Sequence, residues 1–199
     1  MVARQIRARG VRDPRVLAAL ERVPRELFIP EALRSEAFED HPVSIGHGQT
    51  ISQPYIVGYM SEALRLEPSH RVLEIGAGCG YQTAVLAELA AEVFSIEVIP
   101  ELADRARTTL ADLGYTNIHI RAGDGYQGWS EHAPYDRIVG AAAAEAVPQV
   151  LLDQLKDGGI LVIPIGTWSQ DLHVLRKHGS STDLLATLPV RFVPMVKQD

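Results

Sequence analysis

The stretch of this 199-residue chain with the most chemical content is a glycine-rich turn flanked by carboxylates. Glu74-Ile75-Gly76-Ala77-Gly78-Cys79-Gly80 follows an apolar strand pattern, Val72 to Ile75, and precedes a helical one, Tyr81 to Ala90. Glycines in that setting let backbone approach a ligand closely. The dinucleotide fingerprint wants glycine at its first, third and sixth positions; here the sixth is Tyr81 and the last glycine arrives one place early, at Gly80, so NAD is the weaker reading. Glu74 would oppose a pyrophosphate but suits a cationic ligand, reached through loop groups or water. S-adenosylmethionine, with its ammonium and sulfonium, is such a ligand. Glu97 ends the next strand 21 residues after Gly76, near the interval of roughly 20 residues at which a carboxylate accepts both ribose hydroxyls. Asp124, between Gly123 and Gly125, can accept from an adenine amino group. Singly, these are a tight connection and solvated strand ends; together, at successive strand ends, they point to an adenosine-containing ligand.

The elements that must position these groups alternate. Val72–Ile75, Val93–Glu97, Ile118–Ala122, Asp136–Val139 and Ile160–Ile163 read as short apolar strands, with helices over Tyr81–Ala90, Pro100–Leu113 and Val147–Leu155. Such alternation predicts a mostly parallel, doubly wound α/β sheet of Rossmann-like type with helices on both faces. Asp13-Pro14 before Val16, Leu17 and Leu20 gives an N-cap, a first-turn proline and an apolar face, hence a helix in an N-terminal extension. Phe38 to Gln53 reads as a long ordered loop, a feature that is usually functional inside a small domain. Leu172–Leu175 and Val190–Val196, with Gly179-Ser180-Ser181 as a turn, are expected to close one sheet edge as an antiparallel pair. The whole reads as one domain over 1–199: a helical and substrate-loop extension (1–70), a cofactor core (71–166) and C-terminal strands (167–199).

Composition narrows the classes. At 46% hydrophobic and 22% charged, disorder and collagen-like repetition are excluded. A net charge of −6 disfavours general nucleic-acid binding. Arg4, Arg7, Arg9, Arg12 and Arg15 read as a solvated helix face, with a docking patch for an acidic partner as the other reading. Cys79 stands alone and no zinc spacing occurs, so no metal is expected and a reducing compartment is natural. Neither a membrane span nor a secretory core is visible, which places the protein in the cytoplasm as an expectation. The seven histidines are scattered; only His47, beside the Ser52 loop, stands near enough to the candidate residues to join them. Tyr81 and Trp129 read more as packing side chains than as stacking platforms.

Val72 to Gln82 resembles the first motif of the protein-L-isoaspartate O-methyltransferases. The likeness continues in order through Val23-Pro24-Arg25-Glu26 with Phe28, Gly48-Gln49-Thr50-Ile51-Ser52-Gln53-Pro54, Gly123-Asp124-Gly125 with Gly128-Trp129, Ala133-Pro134-Tyr135-Asp136, Gly158-Gly159 before Val162-Ile163-Pro164, and Arg191-Phe192-Val193-Pro194. It spans essentially the whole chain. The first motif and the ribose carboxylate are common to many S-adenosylmethionine enzymes; the Thr50–Pro54 loop is more particular. The resemblance implies a class I S-adenosylmethionine-dependent methyltransferase with S-adenosylhomocysteine as product. Glu74, Gly76, Ala77, Gly78, Gly80, Tyr81, Gln82, Glu97, Val98, Asp124, Gly125 and Gln170 would hold the cofactor. Ser52 would be the active-site hydroxyl, with Thr50, Ile51, Gln53, Pro54, Val57, Arg191, Phe192 and Val193 holding the substrate. Two positions depart from the family pattern: Cys79 where Ser or Thr is commoner, a weaker hydrogen-bond donor, and Gly140 where a small hydroxyl or thiol residue commonly follows the fourth strand.

The implied reaction moves a methyl group from a sulfonium to the free α-carboxylate of an isoaspartyl residue in damaged proteins and peptides, with a monomeric enzyme and neither nucleic acid nor membrane involved. That carboxylate, with a pKa of about 4, is already ionised at neutral pH and needs no strong base. Nothing in the sequence forms a convincing Ser-His-Asp or Cys-His system, which agrees. Ser52 would orient the carboxylate, or else cap the following helix as a turn residue. Two other readings share the glycine loop and Glu97: a class I methyltransferase acting on a small molecule or RNA, and a non-catalytic adenosine-responsive binding protein.

Overall fold

The computed structural model describes residues 1–197. Five strands run parallel in the order of their packing, not of the chain: β5 (Ile118–Ala122), β4 (Glu92–Glu97), β3 (Arg71–Ile75), β6 (Tyr135–Gly140) and β7 (Leu155–Ile165). Two further strands, β8 (Gln170–His178) and β9 (Ser181–Val190), add antiparallel to β7 and close that edge. An antiparallel edge pair is thus present, as the sequence suggests. Its second strand lies earlier than expected: residues 191–196 leave the sheet, and Pro194, which lacks a backbone N–H, makes only an isolated bridge to Ala143.

Side chains alternate across the sheet with period two. Val72, Val93, Val139, Ile160 and Val162 pack on one face under α1 (Pro14–Arg22), α2 (Pro54–Ala63), α3 (Tyr81–Ala87) and α4 (Pro100–Asp112). Leu73, Phe94, Ile96, Ile138, Leu161 and Ile163 pack on the other, under α5 (Gln149–Gln154) and an aromatic group containing Tyr126, Trp129 and Tyr135. Both faces are covered. The second cover is thinner, since the β5–β6 crossover holds only short 3-10 turns, Gly125–Gln127 and Ser130–His132.

Helix starts follow the sequence signals. Asp13 caps α1 by accepting from the Arg15 amide at 2.8 Å, and Pro14, Pro54 and Pro100 open their helices. Arg4, Arg7, Arg9, Arg12 and Arg15 are all exposed, though they are spread over a π-helical turn, a 3-10 turn, an irregular residue and the start of α1 instead of a single helix face. The stretch Phe38–Gln53 contains a hairpin not read from the sequence, β1 (Val43–Gly46) paired with β2 (Gln49–Ile51). Its turn passes through His47 and Gly48, both at positive φ; glycines and a histidine crowded between two very short apolar runs concealed it. His47 is therefore a turn residue. No helix among the described residues is long and apolar enough to cross a membrane.

The sheet's order reverses at β3, whose neighbours β4 and β6 lead to opposite edges. Loops leaving β3 and β6 must diverge there, and the crevice between them is where such sheets bind ligands. Gly80 matters for closing that loop onto α3: φ is +88°, and a Cβ would lie 3.0 Å from Leu110 Cδ1 and 3.2 Å from Ala106 Cβ. Gly80→Ala should lower the unfolding free energy by roughly 1–3 kcal/mol, read as a lower urea midpoint at unchanged slope; an unmoved midpoint would show that neither the left-handed backbone nor the contact with α4 demands glycine here.

Candidate active site

The turn after β3 is held by backbone and by one carboxylate. The amides of Gly76 and Ala77 both donate to the Ile96 carbonyl, at 2.8 and 3.2 Å. Glu97, at the end of β4, accepts from the Gly78 amide at 2.7 Å through one oxygen and from the Ile99 amide at 3.0 Å through the other. A carboxylate offers about four acceptor positions, so Glu97 keeps capacity on both oxygens while it faces the cleft. That cleft lies at the carboxyl ends of β3 and β4, where such sheets bind ligands. Its lining joins Gly76 to Cys79, Tyr81 and Gln82, the apolar Ile75, Ile96 and Val98, and Gly125. Gly125 has to be glycine, because any Cβ there would run into the Ile75 side chain.

A second, more open groove adjoins the cleft. Thr50, Ser52, Ala141 and Val193 border both. Gln53, Tyr55 and Ile56 from around the start of α2 and Leu188 to Phe192 from the end of β9 and beyond line the groove. The tail segment is fastened twice. Val193 and Met195 exchange backbone hydrogen bonds with Ala143 at 2.8 and 2.7 Å, and Gln170 holds Phe192 by accepting its amide at 2.6 Å and donating to its carbonyl at 3.2 Å. Gln53 donates to the carbonyl and carboxylate of Asp40 at 3.0 and 2.8 Å, pinning the Ser52 loop from behind. The Ser52 side chain does not cap α2, which begins without a side-chain cap.

A family model described as protein-L-isoaspartate(D-aspartate) O-methyltransferase matches residues 1–199. The chain belongs to that family. Protein-L-isoaspartate O-methyltransferases from Picosynechococcus and Gloeobacter violaceus are 60% and 52% identical to it, over 98% and 100% of this chain and 88% and 98% of theirs. Among solved structures, a protein-L-isoaspartate O-methyltransferase superposes with a TM-score of 0.87 at 30% identity, covering 94% of this chain and 62% of that one. A Plasmodium falciparum protein described in the same terms, solved in complex with S-adenosyl-L-homocysteine, superposes with a TM-score of 0.81 at 27% identity, covering 96% and 95%.

Within this methyltransferase fold the structure brings most of the sequence-predicted site together. Gly76, Ala77, Gly78, Tyr81, Gln82, Glu97, Val98 and Gly125 stand on the cleft; Ile51 and Val57 also border it; Gln53, Arg191 and Phe192 stand on the groove. Five predicted residues do not reach either wall. Gly80 caps α3, Pro54 is buried at the start of α2, Asp124 caps the Gly125–Gln127 turn by accepting the Tyr126 amide, and Gln170 clamps Phe192. Glu74 is the fifth. Its neighbours Leu73 and Ile75 face the opposite side of the sheet, so its own side chain points under α3, fully buried, and accepts from Thr83 Oγ1 at 2.5 Å and Ser95 Oγ at 2.6 Å. Sequence reasoning missed Gln49, Ala141, Ala142, Met195 and Val196 on the cleft and Tyr55, Leu188 and Pro189 on the groove. Ala141 and Ala142 follow β6 at the same strand-end position as the glycine loop, a signal present in the sequence. Gly140 does not face the site at all, since a Cβ there would lie 2.8 Å from Ile163 Cγ1.

Burial raises the Glu74 carboxyl to about 7, ahead of the opposing hydrogen bonds from Ser95 and Thr83. A raised folded-state pKa means that its contribution to stability is complete below about 4.5 and is lost as pH rises through 7. Glu74→Gln, which stays neutral, should therefore gain on the native protein by roughly 3 kcal/mol between pH 4.5 and 8. Urea unfolding of both proteins across that range measures it; a difference that stays flat with pH would mean that Glu74 ionises normally.

Proposed function

We propose that this chain is a protein-repair enzyme that transfers a methyl group from S-adenosylmethionine to the free α-carboxylate of L-isoaspartyl residues in damaged proteins and peptides. The observation that carries the assignment of roles is that Ser52 borders the cleft and the groove at once. A donor in one and an acceptor in the other would meet at that hydroxyl.

The cleft fits an adenosine-containing methyl donor. Glu97 retains acceptor capacity on both oxygens toward a ribose, while Ile75, Ile96 and Val98 offer apolar surface for a purine. When bound, S-adenosylmethionine supplies an electrophilic methyl carbon on a sulfonium. The chain's own residues then have to orient the substrate carboxylate, which is ionised at neutral pH without help. Ser52 donates its hydroxyl to one carboxylate oxygen and leaves the other free to attack in line. Gln53 and the tail residues Arg191, Phe192 and Val193 hold the peptide on either side of that oxygen. Correct alignment alone can lower such a barrier by roughly 7–11 kcal/mol. Esterification turns the carboxylate oxygen into a methoxy leaving group, so the neighbouring backbone nitrogen attacks the ester carbonyl, loses its proton and expels methanol to close a succinimide without further catalysis, and hydrolysis returns part of it to normal aspartate.

The three segments 1–70, 71–166 and 167–199 act in this reading as one unit, because Ser52, the glycine loop and Val193 come one from each. Net acidity supports protein over nucleic acid as the partner, and a lone, buried Cys79 supports a reducing, cytoplasmic setting.

An isoaspartyl peptide incubated with labelled donor should acquire a base-labile methyl ester, and its aspartyl twin should not; equal labelling of both would overturn the substrate assignment. Ser52→Ala should reduce kcat by roughly 10- to 100-fold, the worth of a hydrogen bond to a charged group, with the calorimetric affinity for S-adenosylhomocysteine nearly unchanged. Glu97→Ala should do the reverse and weaken that affinity by at least about tenfold.

A further inference from the structure

Arg25 is wholly buried, and no carboxylate pairs with it among the described residues. A buried charge without a partner costs several kcal/mol, so its surroundings need a reason. Arg25 opens the 3-10 turn Arg25–Phe28, and its planar guanidinium makes three contacts. Nε donates to the Ala37 carbonyl at 2.7 Å, Nη2 donates to the Ser52 carbonyl at 2.8 Å, and the face of the Tyr81 ring lies 4.8 Å from its central carbon. Phe28, at the other end of the same turn, packs edge-on against Tyr81 with ring centres 5.6 Å apart. One short turn therefore grips Tyr81 from two sides while holding the Ser52 main chain.

Those two residues belong to different halves of the site. Tyr81 is the first residue of α3, directly after the glycine loop, and Ser52 precedes α2. Arg25 and Tyr81 meet with the guanidinium carbon 4.8 Å over the ring face. Ser52, in turn, has its carbonyl fixed while its side chain stays available to the cavities.

We propose that Arg25 is a positioning residue for methyl transfer, fixing Ser52 relative to the glycine loop by clasping the Ser52 carbonyl and the Tyr81 ring together. The inference rests on the reading of Ser52 as the hydroxyl that orients the substrate carboxylate. It requires the geometry of arginine: a lysine ammonium keeps the charge but is a point donor without the rigid planar fork.

Arg25→Lys, Ser52→Ala and the double variant separate the possibilities, with kcat and KM for an isoaspartyl peptide and calorimetric S-adenosylhomocysteine affinity measured on each. Arg25→Lys should lower kcat about tenfold while donor affinity changes less than about threefold, and it should cost less than about threefold more once Ser52 is alanine, because what Arg25 positions is then gone. A full tenfold loss in both backgrounds, or an equal loss of donor affinity, would make Arg25 merely structural and overturn the proposal. If Arg25→Lys does not fold, Tyr81→Leu removes the ring and spares both carbonyl bonds; the same coupling to Ser52→Ala is expected, and independent effects overturn the proposal. Ser52→Ala with undiminished turnover would sink the Ser52 reading and this inference with it, whereas loss in Ser52→Ala beside independent Arg25 effects sinks this inference alone.

Discussion

The reversal of strand order at β3 is the constraint on which the site depends. Parallel neighbours on both sides force the chain leaving β3 and the chain leaving β6 apart, and the gap must be bordered by residues that tolerate close backbone approach. Gly76 meets that need through its φ of +91°, which L side chains rarely adopt, while Ala141 across the gap lies at ordinary contact distance. Other strand-end residues complete the crevice. Glu97 ties the turn to β4, Gly125 admits the Ile75 side chain, and the tail segment returns to Ala143 to wall the opening. The site is thus assembled from strand ends distant in sequence, and its precision comes from the sheet.

Two glutamates on adjacent strands illustrate how the pleat divides labour. Glu74 and Glu97 have the same chemistry, yet the first faces α3 from within β3 and the second ends β4 at the cleft. Glu74 is shut away with Thr83 and Ser95 and its carboxyl is pushed up to about 7; Glu97 engages two backbone amides and still borders the cleft. An acidic residue before a glycine loop need not touch a ligand to matter: here it is the polar joint between β3, β4 and α3, and it fixes the helix on which Tyr81 and Gln82 stand.

The same pleat explains what can be read from the sequence. Strands β3 to β7, the helices opened by Pro14 and Pro100, and the glycine loop carry strong local signals, because apolar runs and proline or aspartate starts act over a few residues. Ser52, Thr50 and Val193 come from resemblance, since nothing local distinguishes a loop serine that borders two cavities from one that caps a helix. The β1–β2 hairpin and the true extent of β9 stay hidden because each strand pairs with a partner whose register depends on a glycine turn. Asp124 and Gln170 have the right types in the right places, but both turn to backbone amides, and only side-chain direction in three dimensions separates those outcomes. Arg25 lies inside the Val23–Glu26 motif, yet its role is not legible there; its contacts at Ala37 and Ser52 lie 12 and 27 residues away, beyond any periodic pattern.

The departures at Cys79 and Gly140 have different weight for a physical reason. Gly140 points into the sheet face against Ile163, so a larger side chain there would collide with the core and could not reach a substrate without moving β7. The residues after it, Ala141 and Ala142, are the ones on the cleft, and both are small. Cys79 is on the cleft, but burial raises its thiol to about 11, which keeps it neutral and a poor nucleophile at physiological pH. A reactive thiolate beside an alkylating sulfonium would compete with the intended acceptor. Holding Cys79 protonated, while the acceptor carboxylate needs no base at all, leaves the substrate oxygen as the nucleophile that the site can present.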